Sequence, residues 1–183
     1  MARKNKTRFA ILGILSLEPM SGYEIRKFVK ASIGYFWHES YGQIYPVLKE
    51  MESEGLLGSK SEIHEKGSEK KTYSLTKEGK KELRSWLGKP VEAHPYRNEL
   101  LLKLFFGRQM TPKENIAHLE RAGRQARYTL KIYESIAKGD KKKYSRNPNL
   151  PFWMFTLDYG IEVVTAELQW IEATKKEMAK FSK

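Results

Sequence analysis

The sequence of 183 residues contains no cysteine and no apolar run that approaches the roughly 20 residues needed to cross a membrane as a helix. The lack of cysteine excludes disulfides, thiolate metal sites and a cysteine nucleophile, and it fits a reducing compartment. A basic start followed by an apolar run imitates a secretory signal, but that run ends at Glu18 and Pro19 without a small-residue cleavage site. We therefore expect a cytoplasmic protein with no membrane partner.

Familiar catalytic motifs are also missing. The sequence holds no HExxH zinc motif, no glycine-rich phosphate loop and no GxSxG nucleophile turn. The four histidines are far apart in the chain: His38, His64, His94 and His118. Asp158 and Glu162 share a predicted helix face, but two carboxylates without further ligands make a poor metal site, and we interpret them as a solvated face. We expect no enzymatic activity, no metal and no cofactor.

Positive charge is what the sequence has in excess. Lysine and arginine number 34 against 22 aspartates and glutamates, which gives a net charge of +12 and a pI near 9.7. Such an excess favours a polyanionic partner, most simply double-stranded DNA. The two halves of the chain carry equal net charge, so charge alone does not locate a binding surface.

The order of predicted elements in residues 1–89 is informative. Ser21 and Glu24 have the spacing of a capping box that opens a helix. The predicted elements are helices over 9–17, from 21 onward, over 40–55 and over 76–87 (with Leu83, Trp86 and Leu87 turned inward), and strands over 56–63 and 72–75. This order is that of a winged helix-turn-helix, in which one helix enters the DNA major groove and a hairpin, the wing, lies on the neighbouring backbone.

The third predicted helix has the character of a DNA-reading helix. Its apolar positions recur on one face, and its other face carries polar groups that suit base edges and phosphates. The apolar set is Ile44, Val47, Leu48 and Met51, and the polar set is Gln43, Tyr45, Lys49 and Glu52. Ser40 is a candidate cap, and Gly55 ends the helix. Pro46 is tolerated only near a first turn, so the regular helix starts after Ser40 or its first turn is distorted.

The predicted wing has a basic tip. Gly67 permits the turn, and the positive groups around it are His64, Lys66, Lys70 and Lys71. Glu65 and Glu69 weaken the case, because they oppose the attraction to phosphate. A solvated hairpin tip that touches nothing remains the alternative interpretation.

Three runs of the sequence resemble the PadR family of bacterial transcriptional regulators. They are SGYEI at 21–25, GQIYPVLKEMESEGLL at 42–57 and KKTYSLTKEG at 70–79. The stretch from Phe152 to Ile171 is similar to the longer PadR subfamily, whose C-terminal region is an extended helical domain. Lys70 and Lys71 stand where the family often has an arginine, so an arginine-specific minor-groove contact is not carried over. The resemblance implies a dimeric repressor that releases DNA on an effector signal.

The predicted DNA contacts fall in three groups. The major-groove group is Ser40, Tyr41, Gly42, Gln43, Tyr45 and Lys49; the wing group is His64, Lys66, Lys70 and Lys71; an N-terminal arm adds Arg3, Lys4 and Lys6. We expect Gln43 and Tyr45 to contact bases, and Ser40 and Gly42 to let the helix end approach phosphate. A disordered tail is the alternative for the arm.

A second domain is predicted over 90–183, after a proline-containing break. Asn98 caps a short helix through Phe106. Thr111 as a cap, Pro112 at the first helical position and the early acid Glu114 open a long helix that ends at Gly139, and a last helix begins after Pro151. The seam of this last helix is Leu157, Ile161, Val164, Leu168, Ile171 and Met178. Two long seamed helices need a surface to bury them, so we predict that they form a homodimer interface. Packing on the chain's own winged domain is the alternative.

Aromatic residues cluster in the last helix. They are Phe152, Trp153, Phe155, Tyr159 and Trp170. We interpret them as ordinary core, because aromatic side chains dominate packing energetics. The alternative is a pocket for a small aromatic or apolar effector.

The fold class predicted from these signals is mainly α with a small β-hairpin wing: an N-terminal winged helix-turn-helix and a C-terminal long-helix dimerisation domain. The predicted function is that of a transcriptional regulator that binds a palindromic operator as a homodimer. The competing prediction is a winged-helix protein-docking module with only non-specific affinity for DNA.

Overall fold

A computed structural model of the chain describes residues 6–37, 44–63, 69–92 and 97–182. The chain divides into two compact units, residues 1–93 and 94–183. The boundary predicted from the sequence, after residue 89, lies slightly earlier in the same proline-containing segment. Among the described residues, no helix combines the length and the apolar character that crossing a membrane requires.

Within its described residues, the N-terminal unit contains four helices and three strands. They are α1 (Thr7–Leu15), β1 (Met20–Ser21), α2 (Gly22–Ala31), α3 (Ile44–Ser53), β2 (Leu57–Ile63), β3 (Glu69–Leu75) and α4 (Lys77–Leu87), with a 3-10 turn at Ile33–Tyr35. The strands form one antiparallel sheet in the order β1-β3-β2. This architecture confirms the predicted fold class. The sequence did not reveal β1, since two residues are too few to show an alternating pattern.

The core of this unit lies between the sheet and the three helices α1, α2 and α3. Its fully buried side chains include Ile11, Leu12, Ile25, Leu48 and Met51. The ring of Phe9 stacks on Trp86 with a centroid distance of 4.7 Å, which ties α1 to α4. Leu87 was predicted to point inward, and this prediction was wrong: Leu87 is exposed. It follows Trp86 directly, so it lies about 100° further round the helix than the stacked ring.

The C-terminal unit consists of helices. They are α5 (Glu99–Phe105), α6 (Pro112–Lys143) and α7 (Leu150–Ala179), with 3-10 turns at Gly107–Gln109 and Lys180–Ser182. The predicted cap at Thr111 is confirmed, and the structure shows it to be a capping box: the Glu114 carboxylate accepts from the Thr111 backbone N–H at 2.8 Å, and Thr111 Oγ1 accepts from the Glu114 N–H. The predicted end of α6 at Gly139 was wrong, since the helix continues to Lys143. Gly139 lacks a positive φ, and three lysines in the last turn suit the negative end of the helix dipole.

Helices α6 and α7 pack on each other in antiparallel fashion. A Cβ built on Gly160 would lie 2.9 Å from Tyr133 Cε2, and one built on Gly123 would lie 3.5 Å from Ile171 Cγ2. Near that end of the pair, Arg127 Nη1 lies 3.4 Å from Glu172 Oε1. Small residues on one helix therefore accept large side chains from the other.

Candidate nucleic-acid interface

Helix α3 presents two chemically different faces, as its sequence pattern predicts. Ile44, Val47, Leu48 and Met51 are buried, whereas Tyr45 and Lys49 are exposed. The helix begins at Ile44, so Pro46 lies in its first turn, where a missing N–H leaves no hydrogen bond broken. The predicted major-groove residues Ser40, Tyr41, Gly42 and Gln43 lie outside the described residues.

The end of α3 is fixed by Gly55. This glycine has a φ of +73°, a conformation that side chains with a Cβ rarely adopt. The Gly55 N–H donates to the Glu52 carbonyl at 3.0 Å, and the Leu56 N–H donates to the Met51 carbonyl at 2.9 Å. This pair of bonds is a Schellman motif, and it turns the chain directly from α3 into β2. The predicted helix stop at Gly55 is confirmed.

Tyr45 of α3 lies on Gly22 at the start of α2. A Cβ at Gly22 would lie 2.6 Å from Tyr45 Cε1, so the ring occupies its present position only because residue 22 is a glycine. The Tyr45 side chain is nevertheless 55% exposed. One surface of the ring is therefore held against α2 while another remains open to a partner. The sequence analysis missed this role of Gly22, although the glycine stands inside the SGYEI run.

Two lysines of the wing, which we define as residues 57–75, are paired with acids on the helices. Lys70 Nζ lies 2.9 Å from Glu24 Oε1 of α2, and Lys71 Nζ lies 2.7 Å from Glu52 Oε2 of α3. Ser59 Oγ also donates to Glu52. The sequence predicted these two lysines as phosphate ligands. A DNA phosphate would have to compete for them with the carboxylates of Glu24 and Glu52.

The electrostatics of these two acids agree with the geometry. Hydrogen bonds from the Ser21 backbone N–H, from Lys70 and from the Ser21 hydroxyl lower the pKa of Glu24 to about 2. Hydrogen bonds from Lys71 and Ser59 lower the pKa of Glu52 below its ordinary value. Both carboxylates are therefore charged at neutral pH.

The remaining predicted contacts are distributed as follows. Lys6 Nζ lies 3.0 Å from Glu92 Oε2 in the same unit, so it is paired within the chain. Arg3, Lys4, His64 and Lys66 lie outside the described residues. The structure thus brings Tyr45 and Lys49 together on one exposed face of α3, the helix that leads into the wing.

In the C-terminal unit, the interpretation of the aromatic cluster as core was wrong for four of its members. Phe152, Phe155 and Tyr159 are 67%, 66% and 73% exposed, and Trp170 is also exposed. Trp153 is half-buried, with its ring edge-on to Tyr144 at a centroid distance of 5.3 Å.

The predicted dimerisation seam instead lies against α6. Val164 and Ile171 are buried within the chain, and Leu157, Ile161, Leu168 and Met178 are half-buried. On the opposite face of α7 the exposed residues form a second apolar set, which we call the outer stripe: Phe152, Phe155, Tyr159, Val163 and Trp170. Their spacing by multiples of three and four was the signal for a shared face.

Comparison with known proteins places this arrangement in a family. Residues 11–85 match the model described as the transcriptional regulator PadR-like family, and residues 96–179 match the model described as virulence activator alpha C-term. The chain carries a PadR-like domain. Members of this family are transcriptional regulators, not enzymes.

Among its relatives is the negative transcriptional regulator PadR of Bacillus subtilis (strain 168). The two sequences are 39% identical over 101 residues, which is 54% of this chain and 55% of that regulator, so the match spans about half of the relative. The crystal structure of Bacillus subtilis PadR with operator DNA has a TM-score of 0.83 at 27% identity and covers 94% of this chain and 98% of that chain. Its complex with p-coumaric acid, at 24% identity and a TM-score of 0.75, covers 98% and 99% and shows the same fold.

A further relative is the virulence activator AphA of Vibrio cholerae. Its structure has a TM-score of 0.76 at 26% identity and covers 95% of this chain and 98% of that chain. The fold is therefore used both by a regulator described as negative and by one described as an activator.

Proposed function

We propose that this PadR-like protein is a transcriptional repressor that binds a palindromic operator as a homodimer and is released by an effector. The observation that carries the proposal is the exposed face of α3, where Tyr45 and Lys49 stand beside the wing. A phenol and an ammonium on one helix face suit base edges and phosphates in a major groove. Repression is the proposed direction because the Bacillus subtilis relative is a negative regulator.

The homodimer is proposed through the outer stripe of α7. In one copy this stripe leaves Phe152, Phe155 and Tyr159 in solvent, and contiguous exposed apolar surface of this kind marks an interaction site. The seam predicted from the sequence is a less suitable interface, since Ile171 is already fully buried by its own chain. A twofold dimer places two reading helices on half-sites about one DNA turn apart.

A small aromatic or apolar compound is proposed as the effector. Aromatic side chains in the outer stripe offer flat apolar surface that such a compound would contact. Bacillus subtilis PadR has been crystallised with p-coumaric acid, which makes this compound a reasonable first probe. An effector releases DNA only if it binds the two states of the dimer with different affinity.

The alternative is the protein-docking module, and one observation favours it. The carboxylates of Glu24 and Glu52 neutralise two of the lysines on which the wing would rely for phosphate. A wing in which these two lysines are already paired suits weak, sequence-independent DNA binding.

The test is selection of bound duplexes from a random DNA library by the full chain, at two salt concentrations. The selection is repeated with Gln43→Ala combined with Tyr45→Phe, which removes an amide and a hydroxyl but keeps the ring on Gly22. The matched control is Gln125→Ala combined with Tyr128→Phe on the exposed surface of α6. An enriched palindrome that is lost in the first variant and kept in the control supports the operator-binding function. Weak, salt-sensitive binding without sequence preference would favour the docking module.

A further inference from the structure

The wing is held from two directions. Lys70 and Lys71 are neighbours on β3, so their side chains leave opposite faces of the strand. Each meets a different helix: Lys70 reaches Glu24 of α2, and Lys71 reaches Glu52 of α3. Strand β3 is therefore linked by ion pairs to α2 and to α3, the helix that carries the candidate DNA surface.

Each link has more than one contact. Glu24 is also the capping-box residue of α2, where it accepts from the Ser21 N–H at 2.8 Å and from the Ser21 hydroxyl at 2.7 Å. Glu52 accepts from Ser59 of β2 as well as from Lys71 of β3, so it bridges both strands of the wing.

The position of Lys71 is further restricted by a ring. Its Nζ lies 5.4 Å from the centroid of Tyr73, a residue that is buried in the core. An ammonium held between a carboxylate and an aromatic face has fewer free donors and less freedom to turn toward a phosphate.

We infer that Glu24 and Glu52 are positioning residues that fix the wing relative to α2 and α3, and that Lys70 and Lys71 anchor the wing instead of binding phosphate. The inference rests on the proposed DNA-binding function and assigns these four residues a role within it. The reading helix α3 and the wing then contact the DNA in a relative orientation that is fixed before binding. Any phosphate contact by the wing falls to lysines outside the two ion pairs, such as Lys60, which makes no ion pair among the described residues.

The DNA arm of the test measures operator affinity of the full chain against salt concentration for Lys70→Gln, Lys71→Gln and Lys60→Gln. A lost phosphate contact reduces the slope of log affinity against log salt by about 0.9. We expect Lys70→Gln and Lys71→Gln to weaken binding about threefold to tenfold with the slope unchanged, because positioning is lost but no phosphate contact is. A slope reduced by about 0.9 in either variant would overturn the inference for that lysine.

A second arm needs no DNA. The side-chain carboxyl carbons of Glu24 and Glu52 are titrated by NMR in the wild type and in the three variants. We expect the midpoint of Glu52 to rise in Lys71→Gln, that of Glu24 to rise in Lys70→Gln, and neither to move in Lys60→Gln. Midpoints that do not respond to the paired lysine would refute the links. If the wild type shows no operator preference, the proposed function fails while this arm still decides whether the links exist.

Discussion

The ring of Tyr45 lies against the α-carbon of Gly22, which joins the start of α3 to the start of α2. The contact leaves no room for a methyl group, because a Cβ would lie 2.6 Å from the ring. The exposed side chain of Tyr45, on the candidate DNA surface, is thus positioned against Gly22 of α2, which has no side chain.

Gly22→Ala should displace Tyr45. We expect a destabilisation of about 1 to 3 kcal/mol from the steric conflict and a loss of operator affinity, measured by chemical denaturation and by binding assays. Gly13→Ala in α1 is the matched control, since a Cβ there meets no atom within 4 Å. That substitution should stabilise the protein by about 0.5 to 1 kcal/mol. Equal effects of the two substitutions would contradict the role of the Tyr45 contact.

Gly160→Ala should loosen the α6–α7 pair. The added methyl group would press on Tyr133, and we expect a destabilisation of about 1 to 3 kcal/mol in denaturant unfolding. Gly139→Ala, where the Cβ points into open space, should instead stabilise α6 by about 0.5 to 1 kcal/mol. If Gly160→Ala leaves the free energy of unfolding unchanged, α6 and α7 can move apart at this position without loss of stability.

The hydrogen bonds that Glu24 accepts from the Ser21 backbone N–H, from Lys70 and from the Ser21 hydroxyl predict a pH dependence. The pKa of Glu24 is about 2 in the folded protein and 4.5 without these contacts, so the folded state gains stability from this group above pH 4.5. That gain is lost as the pH falls from 4.5 toward 2. The side chain is 42% exposed, so solvent screening limits the gain to about 1 kcal/mol or less.

Unfolding of the wild type and of Glu24→Gln across pH 2 to 7 tests this dependence. The difference in stability between the two proteins should shrink toward low pH. A difference that stays constant down to pH 2 would mean that Glu24 contributes through uncharged hydrogen bonds alone.

The outer stripe predicts the state of association. Phe155→Glu combined with Tyr159→Glu should convert the homodimer to a monomer in sedimentation analysis, because two charges would be buried in the proposed interface. Helical content should be retained, since both side chains are exposed in one copy. Ala117→Glu combined with Ser135→Glu adds the same charges to exposed positions of α6 and should leave the dimer intact. If the protein with the first pair of changes remains a dimer, the interface does not lie on the outer stripe.

Local signals in the sequence predicted much of the fold. The capping boxes at Ser21 and Thr111 and the glycine at 55 fixed where helices begin and end, because caps and positive φ depend on neighbouring residues. Gly139 was misleading, since a glycine ends a helix only when the backbone actually turns there.

Contacts between distant residues were beyond the sequence pattern. Glu52 and Lys71 are 19 residues apart, and nothing in their spacing indicates that they meet. Periodicity along α7 identified residues that share a face, such as Leu157 and Ile161, but it did not show whether α6 or a second copy covers them. The same limit explains why Phe152 and Phe155 were assigned to the core.

The two apolar faces of α7 have a consequence for how the cell would use this regulator. One face is covered by the chain's own α6, whereas the outer stripe is exposed and is the proposed interface with a second copy. In a regulator that assembles this way, the abundance of the active form rises roughly with the square of the amount of protein made while copies are few. A twofold change in expression would then alter promoter occupancy more than twofold, so gene dosage itself becomes part of the control.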